Sequence, residues 1–239
     1  MISVVTWKWE RPGYRSAFAG EHVNALRRMV DRHYSPDARM ICVTNDGAGI
    51  DSRVEIIPDR EDFADLPSPH GGMNPTCYRR LLGFHPDAAQ WFGERFVSID
   101  LDVVLTADMR PVWDRDEDFV AYADPYYYRR SGQYCGSMWL LRAGSRPKVW
   151  TDFDPKTSPS VAARAGFRGS DQAWISYAAA GAPTWSPKDG VYSYRADIER
   201  NGNRLPVDAR LVICHGPHDP WLEPMAELSW VREHYPTGR

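Results

Sequence analysis

The chain has 239 residues, of which 43% are hydrophobic and 13% are aromatic. A chain of this length can bury one sizeable hydrophobic core, so we expect a single compact α/β domain. Its 29 Lys and Arg residues nearly balance 32 Asp and Glu residues, which gives a formal net charge of −3. Because a protein held by phosphate contacts usually carries a basic excess or a basic stripe, a nucleic-acid-binding function is disfavoured.

The first third of the chain alternates strand and helix patterns. An apolar strand at residues 2–7 precedes residues 20–34, where apolar side chains recur at helical spacing. Residues 39–44 and 54–57 are short apolar segments that predict a second and a third strand. This order is typical of a parallel sheet with crossover helices, so the expected fold class is α/β, with a mainly parallel central sheet flanked by helices.

A long loop separates this part from a central strand. Residues 58–76 hold several prolines and glycines among polar residues, which are too many breakers for a regular element. Within the loop, residues 70–74 could close over a bound ligand or could be a plain connection. A short helix is predicted at residues 77–84, and the apolar run at residues 96–105 predicts a central strand.

The second half of the chain is more mixed. Its predicted elements are strands at residues 119–123, 137–142 and 211–214, a helix at 170–180 and a terminal helix at 227–235, with residues 236–239 expected to fray.

Targeting signals and cysteine spacing are also informative. The N-terminus has no basic leader, and no apolar stretch approaches the roughly 20 residues that span a bilayer, so membrane contact could only be peripheral. Cys42, Cys77, Cys135 and Cys214 lack any C-x-x-C spacing. Four reduced cysteines in the cytoplasm is therefore favoured over a zinc site built from them.

Two carboxylates, Asp100 and Asp102, lie within the apolar run of the predicted central strand. On an extended backbone they point to the same side, while Leu101 faces the opposite layer. Two like charges in apolar surroundings are costly without a cation, and Mn²⁺ or Mg²⁺ would supply one. The alternative is that both residues only cap the strand end or bind backbone amides.

A histidine follows the last predicted core strand. His215 comes directly after residues 211–214 and is followed by Gly216, Pro217 and His218. An imidazole at a strand end is a plausible third ligand, and imidazole favours Mn²⁺ over Mg²⁺. For His218 especially, an ordinary loop histidine remains the alternative.

Aromatic residues near the end of the first strand are candidates for binding a nucleobase. Ligands of open α/β sheets bind beyond the carboxyl ends of the strands, which places Thr6, Trp7 and Tyr14 near such a site. The equally supported alternative is that Trp7 is an ordinary core residue and Tyr14 an ordinary loop residue.

The sequence resembles the GT-A glycosyltransferases, and most closely the retaining group typified by glycogenin and bacterial lipopolysaccharide galactosyltransferases. Four features carry the resemblance: Asp100-Leu101-Asp102, Arg79-Arg80-Leu81, Gly169-Ser170-Asp171-Gln172, and residues 215–221. It implies a GT-A (Rossmann-like) fold with a smaller acceptor-side sheet. Residues 1–105 would form the nucleotide-binding half and residues 106–239 the acceptor-binding half.

The resemblance also implies site roles. Asp100, Asp102 and His215 would hold a Mn²⁺ (or Mg²⁺) ion, and Arg80, Asp171 and Gln172 would be the catalytic residues. The residues expected to bind the donor are Thr6, Trp7, Tyr14, Arg80, Asp100, Leu101, Asp102, Gly216 and His218. Asp219 stands where the family usually has a phosphate-binding lysine, so His218 or Arg80 is expected to supply that charge. Alternatively, Arg80 is a surface helix arginine and Asp171 a helix N-terminal cap.

The predicted function is a metal-dependent transfer of a sugar, a hexose by resemblance, from a nucleotide-sugar to a hydroxyl acceptor such as a glycan. The resemblance implies a UDP-sugar donor and retention of configuration. One alternative is a metal-dependent nucleotidyltransferase or phosphohydrolase, since paired aspartates also hold Mg²⁺ in phosphoryl-transfer sites. Another is a non-catalytic carbohydrate-binding module, which would explain the ten tryptophans.

Overall fold

The structure is a computed structural model that describes residues 2–9, 18–71 and 76–236. Within these ranges the strands are β1 (Ser3–Lys8), β2 (Met40–Thr44), β3 (Val54–Pro58), β4 (Arg95–Ile99), β5 (Val103–Leu105), β6 (Phe119–Ala123), β7 (Tyr134–Arg142), β8 (Thr184–Trp185), β9 (Val191–Ser193) and β10 (Leu211–Ile213). The α-helices are α1 (Gly20–His33), α2 (Ala88–Phe92), α3 (Arg110–Trp113), α4 (Tyr128–Ser131), α5 (Lys148–Thr151), α6 (Ser158–Arg164), α7 (Asp171–Ala178) and α8 (Ser229–His234). Tighter 3₁₀ turns lie at Tyr78–Phe84, Pro187–Asp189, Glu199–Asn201 and Met225–Glu227, and a π turn lies at Tyr194–Ile198.

The main sheet has the strand order β3-β2-β1-β4-β7-β6-β8 among the described residues. Strand β1 pairs in parallel with β2 and β4, β2 with β3, and β6 with β8, whereas β7 is antiparallel to both of its neighbours. The carboxyl ends of β1, β2, β4 and β6 therefore lie along one edge, together with the start of β7. The predicted α/β fold with a mainly parallel, helix-flanked sheet is confirmed.

The central strand predicted within residues 96–105 is present, but it ends at Ile99 and a second strand begins at Val103. The chain bends at Leu101 and Asp102 and passes from β4 in the main sheet to β5 in a second sheet of order β5-β10-β9. Asp100 N donates to Ser137 O at 2.9 Å on the main-sheet side, and Cys214 N donates to Asp102 O at 3.0 Å on the other. The two aspartates therefore do not lie on one extended strand, which was the basis for expecting their side chains on the same side.

The core lies on both faces of the main sheet. Val4 belongs to a cluster that includes Leu26 of α1 and Val212 of the second sheet, whereas its neighbour Val5 belongs to a cluster with Trp139 and Trp174. Successive residues of β1 thus point to opposite faces, and both faces are covered. This double coverage explains why every residue of β1 and β2 is buried.

Several predicted boundaries move in the structure. Strand β7 begins at Tyr134 instead of residue 137, and the terminal helix is shorter, beginning at Ser229. The short helix predicted at residues 77–84 is a 3₁₀ turn that begins at Tyr78. Short elements such as α2 to α6 were not predicted, because one turn of helix leaves little periodicity in a sequence.

No helix in the described part of the chain is both long and apolar enough to cross a bilayer. The four cysteines are free, and Cys42, Cys135 and Cys214 are buried.

Candidate functional site

The candidate site lies at the edge of the main sheet where its parallel strands end. Asp100 follows β4, Asp124 follows β6, and Gly136 lies near the start of β7. His215 lies after β10 of the second sheet. The preceding residue, Cys214, donates its backbone N–H to Asp102 O in the bend after Asp100. Residues far apart in sequence are thus gathered at one edge, as expected for ligand sites of open α/β sheets.

Arg80 is the centre of a buried ion cluster at this edge. Its Nη1 forms an ion pair with Asp100 Oδ1, and its Nε donates to Asp171 Oδ2 at 2.8 Å. Burial raises the pKa of Asp171, and Arg80 opposes that rise. Burial alone would lower the pKa of Arg80, but Asp100 and Asp171 hold it well above its ordinary value. The alternative of a surface arginine is wrong, because Arg80 is 5% exposed.

The neighbouring Arg79 has a different set of contacts. It forms an ion pair with Asp59, and its guanidinium lies over the ring of Trp9, 5.2 Å from the ring centroid. The two arginines therefore face different ways, as their adjacent positions in a helical turn predict.

Gly136 allows the Arg80 guanidinium to approach the backbone of β7. A Cβ atom at this position would lie 2.5 Å from Arg80 Nη2 and 3.4 Å from Gln172 Cβ. Gln172 Oε1 accepts from Gly136 N at 3.1 Å, and Gln172 Nε2 donates to Arg168 O at 3.1 Å. Two of the three predicted catalytic residues, Arg80 and Gln172, thus lie close together at Gly136.

Asp171 is the first residue of α7, not its cap. The N-cap residue is Ser170, whose hydroxyl donates to Asp171 Oδ1 at 3.2 Å and accepts from Cys77 N at 3.0 Å. Asp171 is 1% exposed, and its carboxylate faces Arg80. The resemblance implies that Asp171 would orient an acceptor hydroxyl or donor-sugar hydroxyls. Such a contact does not fit this burial, whereas a role in holding Arg80 does.

His215 carries a buried ring nitrogen that lacks a partner. Its Nε2 has no hydrogen bond within the part of the chain that the structure describes, and its ring stacks on Tyr122 at a centroid distance of 6.4 Å. Burial lowers the pKa of His215, although the carboxylates of Asp124 and Asp100 oppose this. The ring is therefore neutral near pH 7, which is the form that binds metal ions.

His218 has other neighbours. Its ring lies 5.1 Å from the ring of Tyr194, and its Nε2 lies 4.0 Å from Glu199 Oε2. Gly216 has a φ of +69°, which turns the exposed chain between the two histidines. His215 and His218 thus face different surroundings despite their short separation in sequence.

The predicted metal ligands Asp100, Asp102 and His215 are not arranged as a metal site among the described residues. No group of three or more His, Cys, Asp or Glu side chains among the described residues is arranged to hold an ion. The carboxylate of Asp100 forms an ion pair with Arg80. The backbone of Asp102 accepts a hydrogen bond from the N–H of Cys214, the residue before His215. Leu101 is 2% exposed and packs in the core, so only its backbone could contact a donor.

The predicted nucleobase-binding residues are mostly buried. Thr6 is fully buried, and Trp7 is 5% exposed and donates from Nε1 to Ser98 Oγ at 2.8 Å. Stacking of a base on Trp7 does not fit this burial, because the core covers the ring. Tyr14 lies outside the described residues.

The sequence analysis missed a buried lysine at the same strand end. Lys8 Nζ donates to Asp46 O at 2.7 Å and to Asp46 Oδ2 at 2.9 Å. Lys8 is 1% exposed and is the last residue of β1, so its charge is held beside Asp46, beyond the end of β2. A lone lysine after an apolar strand gives no signal of such a pairing.

The loop before the Tyr78–Phe84 turn packs beside the start of α7. Ser68 Oγ donates to Gly169 O at 3.2 Å, and His70 Nε2 lies 3.1 Å from Phe167 O. Of the predicted closing segment at residues 70–74, residues 72–74 lie outside the described ranges.

A cavity of about 390 Å³ opens at the end of β6, beside Tyr122 and Asp124. Tyr122 lines it and also stacks on the His215 ring. Its polar lining includes Asp124, Tyr128, Ser186, Asp197 and Arg200. Tyrosine, hydroxyl, carboxylate and guanidinium groups together give both flat apolar faces and hydrogen-bonding partners.

The chain has a GT-A-like glycosyltransferase fold. The chain is similar to the galactosyltransferase LgtC solved with donor and acceptor sugar analogs, with a TM-score of 0.64 and 15% identity, over 97% of this chain and 93% of that one. It is also similar to the glycosyltransferase GlyE of Streptococcus pneumoniae TIGR4, with a TM-score of 0.57 and 11% identity, over 100% and 66%. A third similar structure is mouse xyloside xylosyltransferase 1, with a TM-score of 0.52 and 11% identity, over 90% and 97%. No protein-family model and no curated protein sequence matches the chain.

Proposed function

We propose that this protein is a metal-dependent glycosyltransferase that moves a sugar from a UDP-sugar to a hydroxyl acceptor, with retention of configuration. The observation that carries the proposal is the buried Arg80 cluster. It joins Asp100, one of the proposed metal ligands, to Asp171 at the start of α7, at the carboxyl-end edge of the main sheet in a glycosyltransferase-like fold. The UDP donor and the retention rest on the resemblance of the sequence motifs to the retaining group.

The residues at the bend fit a divalent ion in their chemistry. Asp100 and Asp102 would supply hard oxygen ligands, and His215 Nε2, which has no hydrogen bond to any described residue, would supply a nitrogen ligand. This donor set favours Mn²⁺. A bound ion would neutralise charge on the donor diphosphate as the sugar–oxygen bond breaks.

Arg80 is the proposed protein cation for the same diphosphate. The side chain of Asp171 is 1% exposed, whereas that of Asp100 is 27% exposed. A ligand can therefore reach the Asp100 side of the guanidinium while Asp171 keeps its orientation. A charge-assisted hydrogen bond to phosphate in water-poor surroundings stabilises the leaving group more than the same contact in water.

Gln172 is the proposed contact for the transferred sugar. Its amide is held between Gly136 N and Arg168 O, so its position is fixed before any ligand binds. This role rests on the resemblance of Gly169-Ser170-Asp171-Gln172 to the family's motif.

The cavity at the end of β6 is the proposed acceptor site. It shares Tyr122 with the His215 ring and lies at the same sheet edge as Asp100, so a hydroxyl there would be near the donor. Carbohydrate suits a lining that combines tyrosine faces with carboxylate and guanidinium groups. The proposed acceptor class is therefore a glycan.

The decisive experiment measures donor binding and product formation. Thermal-shift titration of a nucleotide-sugar panel, with and without Mn²⁺, should show stabilisation by one UDP-sugar that depends on the ion. Asp102→Asn should abolish that stabilisation, because it removes a charged ligand. The matched control is Asp37→Asn, since Asp37 is exposed and precedes β2, away from the carboxyl ends of the strands.

Mass spectrometry of the products separates the other functional classes. Sugar transfer yields UDP and a glycosylated acceptor, whereas nucleotidyl transfer or phosphate hydrolysis yields other products. Donor binding that Asp102→Asn leaves unchanged would contradict the metal assignment. Glycan binding without metal dependence or turnover would contradict the proposed transferase activity.

A further inference from the structure

Two histidines from opposite ends of the sequence meet at the surface of the main core. His33 ends α1 and His234 ends α8, and their ring centroids lie 5.6 Å apart with an interplanar angle of 53°. His33 Nε2 and His234 Nδ1 are both buried, and neither has a hydrogen bond within the described ranges. Buried polar atoms without partners are rare, because a buried donor or acceptor that is left unpaired destabilises the fold.

We propose that His33 and His234 together bind one divalent transition-metal ion, with Zn²⁺ the best match, through these two nitrogens. Zinc binds imidazole at about 2.0–2.1 Å, and with a ring centroid about 1.2 Å beyond the nitrogen, a tetrahedral angle separates two centroids by roughly 5 Å. The observed 5.6 Å is close to this value and suits a slightly wider angle.

Two carboxylates near the pair would favour a bound cation. His234 Nε2, the ring nitrogen that is not a proposed ligand, lies 3.8 Å from Glu233 Oε1. Asp108 adds negative charge on the His33 side, while Arg32 is the opposing cation.

The position gives the ion a structural role. Arg28 Nη2 donates to Pro236 O at 2.6 Å, and Arg32 Nη1 donates to Glu233 O at 2.8 Å, so the same two helix ends are already joined by hydrogen bonds. Arg32 and Glu233 are 201 residues apart in the sequence. An ion between His33 and His234 would close this long loop and fix α8 on the rest of the fold.

The proposed zinc site shares no residue with the proposed catalytic site, and the proposal does not depend on the proposed function. Its two nitrogen ligands favour Zn²⁺ or Cu²⁺ over Mn²⁺, whereas the carboxylates of Asp100 and Asp102 suit Mn²⁺. Water would complete the coordination. Mn²⁺ should therefore leave the two imidazoles unchanged at concentrations that support donor binding.

The test is a Zn²⁺ titration of the full chain, followed by the ¹⁵N resonances of the histidine rings. Binding should shift His33 Nε2 and His234 Nδ1 together, and it should raise the thermal midpoint. His33→Gln and His234→Gln should each weaken the Zn²⁺ effect roughly tenfold or more. The matched control is His70→Gln, because His70 is exposed and lies elsewhere.

Two outcomes would overturn the proposal. One is that the His33 and His234 ring resonances stay unchanged at saturating Zn²⁺. The other is that the shifts persist in both glutamine variants, which would assign the ion to other ligands. Circular dichroism of each variant without zinc shows whether the variant is folded. A folding defect is therefore recognised before the titration.

Discussion

Arg80 Nε donates to Asp171 Oδ2 at 2.8 Å, and the two side chains are only 6% and 1% exposed. A buried carboxylate at the first turn of a helix gains from the helix dipole as well as from the guanidinium. Asp171 therefore fixes one edge of Arg80 and leaves the other edge to Asp100. Arg80 therefore contributes both to stability and to the proposed ligand binding, which makes it an informative position to change.

We expect Arg80→Ala to destabilise the protein by about 3–5 kcal/mol, because it leaves the charge of Asp171 buried and unpaired. Urea unfolding measures this loss. Arg142→Ala breaks the exposed ion pair with Asp118, whose side chains are 48% and 53% exposed. That control should cost about 0–1 kcal/mol, and an equal cost for both variants would contradict the buried cluster.

Gly136→Ala should destabilise the protein by about 1–3 kcal/mol and weaken donor binding, because the new Cβ displaces the Arg80 guanidinium. Its position would be 2.5 Å from Nη2. Gly47→Ala is the matched control, since the three atoms nearest its Cβ would all belong to the side chain of Ile56, with Cδ1 the nearest at 2.6 Å, and Ile56 is 45% exposed and can move. Wild-type donor affinity in Gly136→Ala would show that Arg80 does not need this close approach.

Trp7→Phe should lower stability by about 1–3 kcal/mol, because Ser98 Oγ loses the indole donor and the core loses volume. Donor affinity should stay within a factor of a few, since the ring is buried. Chemical denaturation and donor titration on the same variant give both values. A large loss of affinity without a loss of stability would restore the base-stacking role of Trp7.

Stability should fall with acidity partly through His22. Its Nδ1 accepts from Ala19 N at 2.8 Å at the start of α1, and burial lowers its pKa below the ordinary 6.5. Below pH 6.5 the unfolded chain takes up a proton that the folded His22 resists, so this contribution is present at pH 7 and is lost as the pH falls.

His22→Gln isolates this effect. Glutamine at the third helical position can accept the same backbone hydrogen bond without titrating. The free energy of unfolding of the variant should therefore change less between pH 7 and pH 5 than that of the wild type. Parallel pH profiles for the two proteins would show that His22 does not contribute.

The regular elements with clear local patterns could be predicted from the sequence. Helix α1 begins at the predicted Gly20, and β6 spans the predicted residues 119–123. Both are long enough, or bounded sharply enough, for side-chain periodicity to decide their type. The break between β4 and β5 could not be predicted, because strands buried on both faces show a continuous apolar run with no alternation.

The site was predicted only in part, for a related reason. Arg80 and Asp171 are 91 residues apart, so their ion pair depends on how α7 packs against the Tyr78–Phe84 turn. The motif resemblance singled out both residues but not their contact. Trp7 was a candidate for binding a base but packs in the core. The sequence pattern of an aromatic residue at a strand end is the same in both cases.

The bend at Leu101 and Asp102 has a mechanical consequence. Residues 95–105 supply one strand to each sheet, so the main sheet holds Asp100 while the second sheet holds His215. A ligand bound to both Asp100 and His215 would crosslink the two sheets and would reduce any movement of one sheet relative to the other. Amide exchange at Cys214, whose N–H spans this junction to Asp102 O, should then slow when the donor binds.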